Sequence, residues 1–188
     1  MMDRRRALRF AAALAVTPLS LRATGASLPP TPQCRGEDAT PRQTEGPFYA
    51  PQTPLKPSFL ADGDGERLVL QGYVLDTRCR PLAGSWIDLW HADATGAYDN
   101  RGFRLRGHQF ADAGGRYRFE TIVPGLYPGR TRHFHVKLRA AGARRELTTQ
   151  LYFPGEPENA RDGLYRRELL MALDRATGTA RFDFVLDT

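Results

Sequence analysis

The chain predicts an all-β sandwich with an N-terminal arm and one peripheral helix. Short apolar or alternating runs recur from Leu68 to Leu186, and Gly and Pro residues separate them. That spacing is the pattern of a β-sandwich. With 188 residues there is material for one domain with a sizeable core, and no internal repeat or low-complexity tract divides it.

The elements follow in order. Residues 1–26 begin with Met1-Met2-Asp3-Arg4-Arg5-Arg6, continue through an apolar stretch from Ala7 to Leu21 broken only by Arg9, and end in small residues, Ala23-Thr24-Gly25-Ala26. This is the layout of a secretory signal peptide, and the paired arginines fit the twin-arginine type. The apolar run is short for a membrane span. The expected location is therefore periplasmic or secreted, with membrane contact only during export. Residues 27–43, rich in Pro, Thr and Arg, read as a flexible arm or linker. A domain is expected over 44–188, where Thr44 to Tyr49 places rings just after a turn and docks the arm. Strands are predicted at Leu68–Leu75, Ser85–Trp90, Tyr117–Ile122, His133–Leu138, Leu147–Phe153 and Ala180–Leu186. A helix is predicted near Asp162–Leu170.

Charge and cysteines narrow the function. The net charge is +6, but five arginines and one aspartate in residues 1–26 account for +4 of it, leaving +2. A nucleic-acid partner loses most of its support. Cys34 and Cys79 are the two cysteines. In an oxidising compartment they can bridge, and closing a loop of that length would stabilise the fold by about 4 kcal/mol in the chain-entropy model. Two unrelated thiols are the alternative. Neither cysteine has metal-ligand spacing.

His133-Phe134-His135 carries the chemistry. Strand side chains alternate faces, so the two imidazoles point one way and Phe134 the other. Two histidines on one face look like half of a metal site, although such pairs also occur without a metal. Tyr98 and Tyr127 could supply the other half as phenolates. Mixed Tyr and His ligation favours iron(III) over zinc, whose sites use Cys, His and carboxylates.

Five segments, taken together, resemble the intradiol ring-cleavage dioxygenases. They are Thr44-Glu45-Gly46-Pro47-Phe48-Tyr49, the stretch from Asp88 to Tyr98, the stretch from Gly115 to Tyr127, Arg130-Thr131-Arg132-His133-Phe134-His135, and Thr149-Gln150-Leu151-Tyr152-Phe153. They occur in family order across residues 44–155. The chain resembles single-domain enzymes of the protocatechuate 3,4-dioxygenase type. It departs from them in a short stretch between Tyr127 and His133 and in carrying His91 where glutamine is common.

The resemblance implies cleavage of a catechol-type ring by O₂ to a muconate-type diacid, with Fe(3+) as cofactor. Tyr98, Tyr127, His133 and His135 would be the ligands. Tyr127 would also leave the metal when substrate binds and take a substrate proton. Arg130 would stabilise the anionic ring, with Gln150 beside it. Gly46, Pro47, Tyr49 and Arg130 would line the substrate pocket. The partners would be a small aromatic diol and O₂, with room for a homo-oligomer. His91, a polar core residue or an outer support of the site, stays open, and Trp86 and Trp90 read as core.

Two other readings stand beside this one. A transthyretin-like β-sandwich carrier would explain the fold without needing the Tyr and His set. A zinc hydrolase built on the H-x-H pair would need a further His or carboxylate, and no H-E-x-x-H pattern is present.

Overall fold

Alternation of side chains along two sheets, one mixed and one antiparallel, organises the molecule. The computed structural model describes residues 39–188. The expected signal peptide at 1–26, most of the arm, and Cys34 lie outside the described residues. Cys79 is disulfide-bonded.

The described strands are β1 (Arg67–Asp76), β2 (Trp86–Trp90), β3 (Arg106–Phe110), β4 (Arg116–Ile122), β5 (His133–Arg139), β6 (Leu147–Tyr152), β7 (Ala172–Asp174), β8 (Thr179–Arg181) and β9 (Phe184–Leu186). One sheet runs β4-β1-β8-β7, with β9 also pairing β1. The other runs β3-β2-β5-β6 and is antiparallel throughout. The two sheets pack face to face. From the second sheet, Ile87, Leu89, Phe134, Val136 and Leu151 enter a shared core with Leu70 and Phe119 of the first.

The structure departs from the sequence pattern at three elements. The Asp162–Leu170 helix does not form. One short 3₁₀ turn, Pro157–Ala160, precedes that region and another, Arg167–Leu169, lies within it. Gly163 disfavours a helix, and the Asp162 carboxylate accepts the backbone N–H groups of Leu164 and Thr131. The predicted strand Ala180–Leu186 is two strands, β8 and β9. Between them Phe182 crosses so close to β1 that a Cβ on Gly72 would lie 1.8 Å from the Phe182 carbonyl oxygen. Asp183 then turns its carboxylate onto the Tyr73 N–H. Strand β3 was not foreseen, because Arg106-Gly107-His108-Gln109-Phe110 has no apolar alternation.

The lack of alternation in β3 has a cause in the packing. The second sheet is covered on both faces. Residues 39–59 run across its outer face from β6 to β3. Gln43 N–H bonds the Thr148 carbonyl at 2.8 Å, Glu45 pairs with Lys137, and Tyr49 packs on Trp90 with ring centroids 4.8 Å apart. Thr53 donates to Asp88 at 2.8 Å, and Lys56 N–H bonds the His108 carbonyl. Docking begins earlier than Thr44: Thr40 is buried and exchanges hydrogen bonds with Val185. The outer-face residues of β2, β5 and β6 are thereby buried although they are polar: Asp88, His133, His135 and Gln150.

Asp88 registers the effect of this cover. Burial raises its carboxyl from 3.8 to about 7, against the opposing hydrogen bond from Thr53 and the charge of Lys137. The folded state therefore holds this proton more tightly than the unfolded chain, so the Asp88 contribution to stability falls as pH rises from about 4 to about 7. Asp88→Asn should gain stability relative to the parent across that window. Thermal melts at both ends of it check this: the difference in Tm between variant and parent should be more favourable at the upper end.

Candidate metal centre

Strand periodicity sets the first two donors. His133 and His135 point outward from β5 while Phe134 enters the core, as the alternation predicts. Their Nε2 atoms lie 3.2 Å apart, and the Tyr98 hydroxyl is 3.2 Å from His133 Nε2. The Tyr98 and Tyr127 rings meet edge to face at 5.7 Å, and Tyr98 meets His135 at 6.0 Å. The four predicted ligands thus converge on one place.

Each imidazole is held differently. His133 Nδ1 donates to the Thr131 carbonyl at 2.6 Å, which leaves the lone pair of Nε2 facing the site. The His135 ring stacks on Trp90 at 5.0 Å with 8° between planes, and Gly46 sits against its edge, where a Cβ would lie 3.3 Å from Cε1. His135 Nδ1 is buried and has no hydrogen-bond partner among the described residues. Burial lowers His133 to about 4, with the Arg130 charge acting the same way, and pushes His135 well below its usual value. Both rings are neutral at physiological pH and available as ligands.

The tyrosines come from two loops locked together by glycine. In the first, the Asp93 carboxylate accepts Thr95 N–H, Thr95 Oγ1–H and Ala97 N–H, folding a tight turn before Tyr98. In the second, Gly125 N–H bonds the Asp93 carbonyl at 2.7 Å. Side chains are excluded where the loops cross. A Cβ on Gly96 would lie 2.1 Å from the Leu126 carbonyl oxygen, and one on Gly125 would lie 2.4 Å from Gly96 N. Tyr127-Pro128-Gly129-Arg130 then forms a turn closed by Arg130 N–H to the Tyr127 carbonyl, with Gly129 at φ 77°. That turn places Tyr127 and Arg130 together.

Arg130 is anchored on both sides. Its Nε donates to Asp162 at 2.8 Å and its Nη2 to Gln150 Oε1 at 2.6 Å. Gln150 in turn donates to the Thr44 carbonyl of the covering segment at 3.0 Å. Among the other predicted pocket residues, Gly46 touches His135 and Pro47 is exposed. Tyr49 packs on Trp90 and beneath the Lys137 ammonium. The ring that reaches both tyrosines is Phe48, stacked on Tyr98 at 4.3 Å and edge-on to Tyr127 at 5.4 Å. Both His91 nitrogens are used within the protein, by the Ala92 carbonyl and Thr121 Oγ1. Reasoning from sequence missed Asp162, Phe48 and Arg106, since none sits at a revealing spacing.

The donor set fits a hard trivalent cation. It combines two neutral imidazoles and two phenols, and burial raises the Tyr98 phenol against the pull of Arg130 and Arg106, so it becomes a phenolate only against a cation. No group of three or more His, Cys, Asp or Glu gathers among the described residues.

Known proteins share this arrangement of sequence and fold. A model of the dioxygenase family matches residues 44–188. The chain is 36% identical over 141 residues to the protocatechuate 3,4-dioxygenase beta chain of Burkholderia cepacia, a match covering 66% of this chain and 58% of that one. It is 28% identical over 173 residues to catechol 1,2-dioxygenase of Acinetobacter baylyi, covering 76% and 55%. The chain spans little more than half the length of these curated relatives. The dioxygenase domain of a dioxygenase and carbohydrate-binding protein fusion from Streptomyces sp. SirexAA-E aligns with a TM-score of 0.77 at 51% identity, over 80% of this chain and 99% of that one. Catechol 1,2-dioxygenase from Pseudomonas arvilla C-1 gives a TM-score of 0.68 at 32% identity, over 78% and 62%.

The glycine crossing is testable against a glycine that matters only for its dihedral angle. Gly125→Ala must push apart two backbones and should cost about 3 kcal/mol. Gly129→Ala has nothing within 4 Å of its new Cβ, so it should cost only about 1 kcal/mol for its positive φ. Urea unfolding of both variants checks the order; equal losses would contradict it.

Proposed function

The chain belongs to the intradiol ring-cleavage dioxygenase family, and from that premise we propose that it cleaves a catechol-type ring between its two hydroxylated carbons. O₂ supplies both inserted oxygen atoms, and the product is a muconate-type diacid. The observation that carries this reading is the convergence of Tyr98, Tyr127, His133 and His135 beside an anchored Arg130. These four side chains would hold a ferric ion. When bound, the ion would supply Lewis-acid activation of the diol toward O₂.

The remaining work falls to the chain's own residues. Tyr127, held as a phenolate, would be the base that takes a proton from a substrate hydroxyl and becomes a neutral phenol. Arg130 offers a guanidinium fixed by Asp162 and Gln150, directed to stabilise an anionic ring without reorganising. Gln150 holds Arg130 and ties it to Thr44. Gly46 lets the covering segment approach His135 closely, and Phe48 shields the tyrosines from water. The arrangement of residues 1–26 supports export to the periplasm or beyond, by a route that carries folded and metal-loaded proteins. A carrier function, by contrast, gives no role to the paired imidazoles or to the doubly anchored arginine.

Oxygen uptake by the iron-loaded protein with a panel of substituted catechols tests the activity and reads the ring preference directly. No uptake with any catechol would overturn it. Arg130→Leu should keep its iron and still bind catechol, yet lose about 100-fold in turnover, on the order of 3 kcal/mol for one preorganised donor. Near-normal turnover in that variant would remove Arg130 from the mechanism.

A further inference from the structure

Arg106 is among the largest side chains fully buried in the molecule, at 1% exposure, and nothing in the reaction described above uses it. No carboxylate lies within ion-pair distance of it among the described residues. Its guanidinium is satisfied by main-chain carbonyls instead. Nε and Nη2 both donate to the Asp99 carbonyl, at 3.1 and 2.5 Å, and Nη1 donates to the Phe48 carbonyl. Asp99 follows Tyr98 directly, and the Phe48 ring lies flat on the Tyr98 ring, 4.3 Å away and 14° from parallel. One buried fork therefore grips the backbone next to Tyr98 and the backbone of the ring stacked on Tyr98.

We propose that Arg106 is a positioning residue for Tyr98, clamping the phenol between its own loop and Phe48 of the covering segment. The inference rests on the reading of Tyr98 as an iron ligand. The clamp explains why a charged residue stands in the otherwise short strand β3. A planar fork can hold two carbonyls in fixed directions, and an ammonium on a flexible stem cannot. It also explains why Phe48, rather than the neighbouring Tyr49, faces the site. Among the described residues the Tyr98 hydroxyl makes one hydrogen bond, to His133 Nε2, so its orientation depends on packing, and the clamp sets that packing. Outer supports of this kind, which orient a ligand without touching the metal, typically carry a 10–100-fold share of metal affinity.

The test uses the full chain with ferrous salt and air as the iron source. Parent, Arg106→Lys, Phe48→Leu and the exposed control Arg101→Gln are titrated for iron, and the visible tyrosinate-to-iron band is recorded for each. Melting of each metal-free protein is measured alongside. Arg106→Lys and Phe48→Leu should each weaken iron binding about tenfold, move the band, and change kcat for catechol more than KM, with the control unchanged. A lysine that restores affinity and band position would overturn the clamp, since a buried charge alone would then suffice. An unmoved band in both variants, with only a lower melting temperature, would reduce Arg106 to a structural role and also overturn it. A parent that takes up no iron would overturn the ligand reading itself, an outcome visible before any variant is compared.

Discussion

The site lies on the outside of the sandwich, and the rest of the structure depends on that placement. Period-two alternation sends Phe134 and Val136 into the core and His133 and His135 away from it. An outward face is normally wet. Here residues 39–59 cross it and turn it into a second interior. Burial beneath that cover keeps both imidazoles neutral. It also makes polar side chains such as Gln150 and Asp88 fully buried parts of a strand. Without the cover the four donors would be a patch of surface residues.

Close approach of backbones then sets the remaining geometry. The Tyr98 and Tyr127 loops cross at Gly96 and Gly125, where no Cβ fits. The turn from Tyr127 to Arg130 carries a ligand candidate at one end and a charge at the other. That charge is fixed by Asp162 and Gln150, and Gln150 reaches back to Thr44 in the cover. Arg106 closes a second connection from the Tyr98 loop to Phe48. The cover and the tyrosine loops are therefore one hydrogen-bonded assembly, and disturbance of either reaches the donors.

Much of this was legible in the sequence, for reasons that differ by element. The alternating strands β1, β4 and β5 declare themselves because one face is apolar. The shared face of His133 and His135 follows from the same periodicity. Strand β3 was hidden because its outer face meets the covering segment, and because Gly107 makes room for the Lys56 carbonyl. The expected helix at Asp162 fails because Gly163 disfavours it and because the Asp162 carboxylate is drawn to Arg130 and the distant Thr131 N–H. The tyrosines form a site only through long-range loop crossing, which no local pattern encodes. Ligand chemistry makes them candidates and resemblance to a family singles them out, whereas Asp162 and Arg106, which act through other residues, carry no such signal.

The outer-face donors are proposed to hold a ferric ion. Iron analysis together with the visible spectrum tests this most directly, applied to the parent, His133→Ala, His135→Ala and Tyr98→Phe. The parent should hold about one iron per chain with a tyrosinate-to-iron colour. Both histidine variants should lose iron, and Tyr98→Phe should show an altered or absent band. A colourless parent, or histidine variants that keep full iron and an unchanged band, would contradict the assignment.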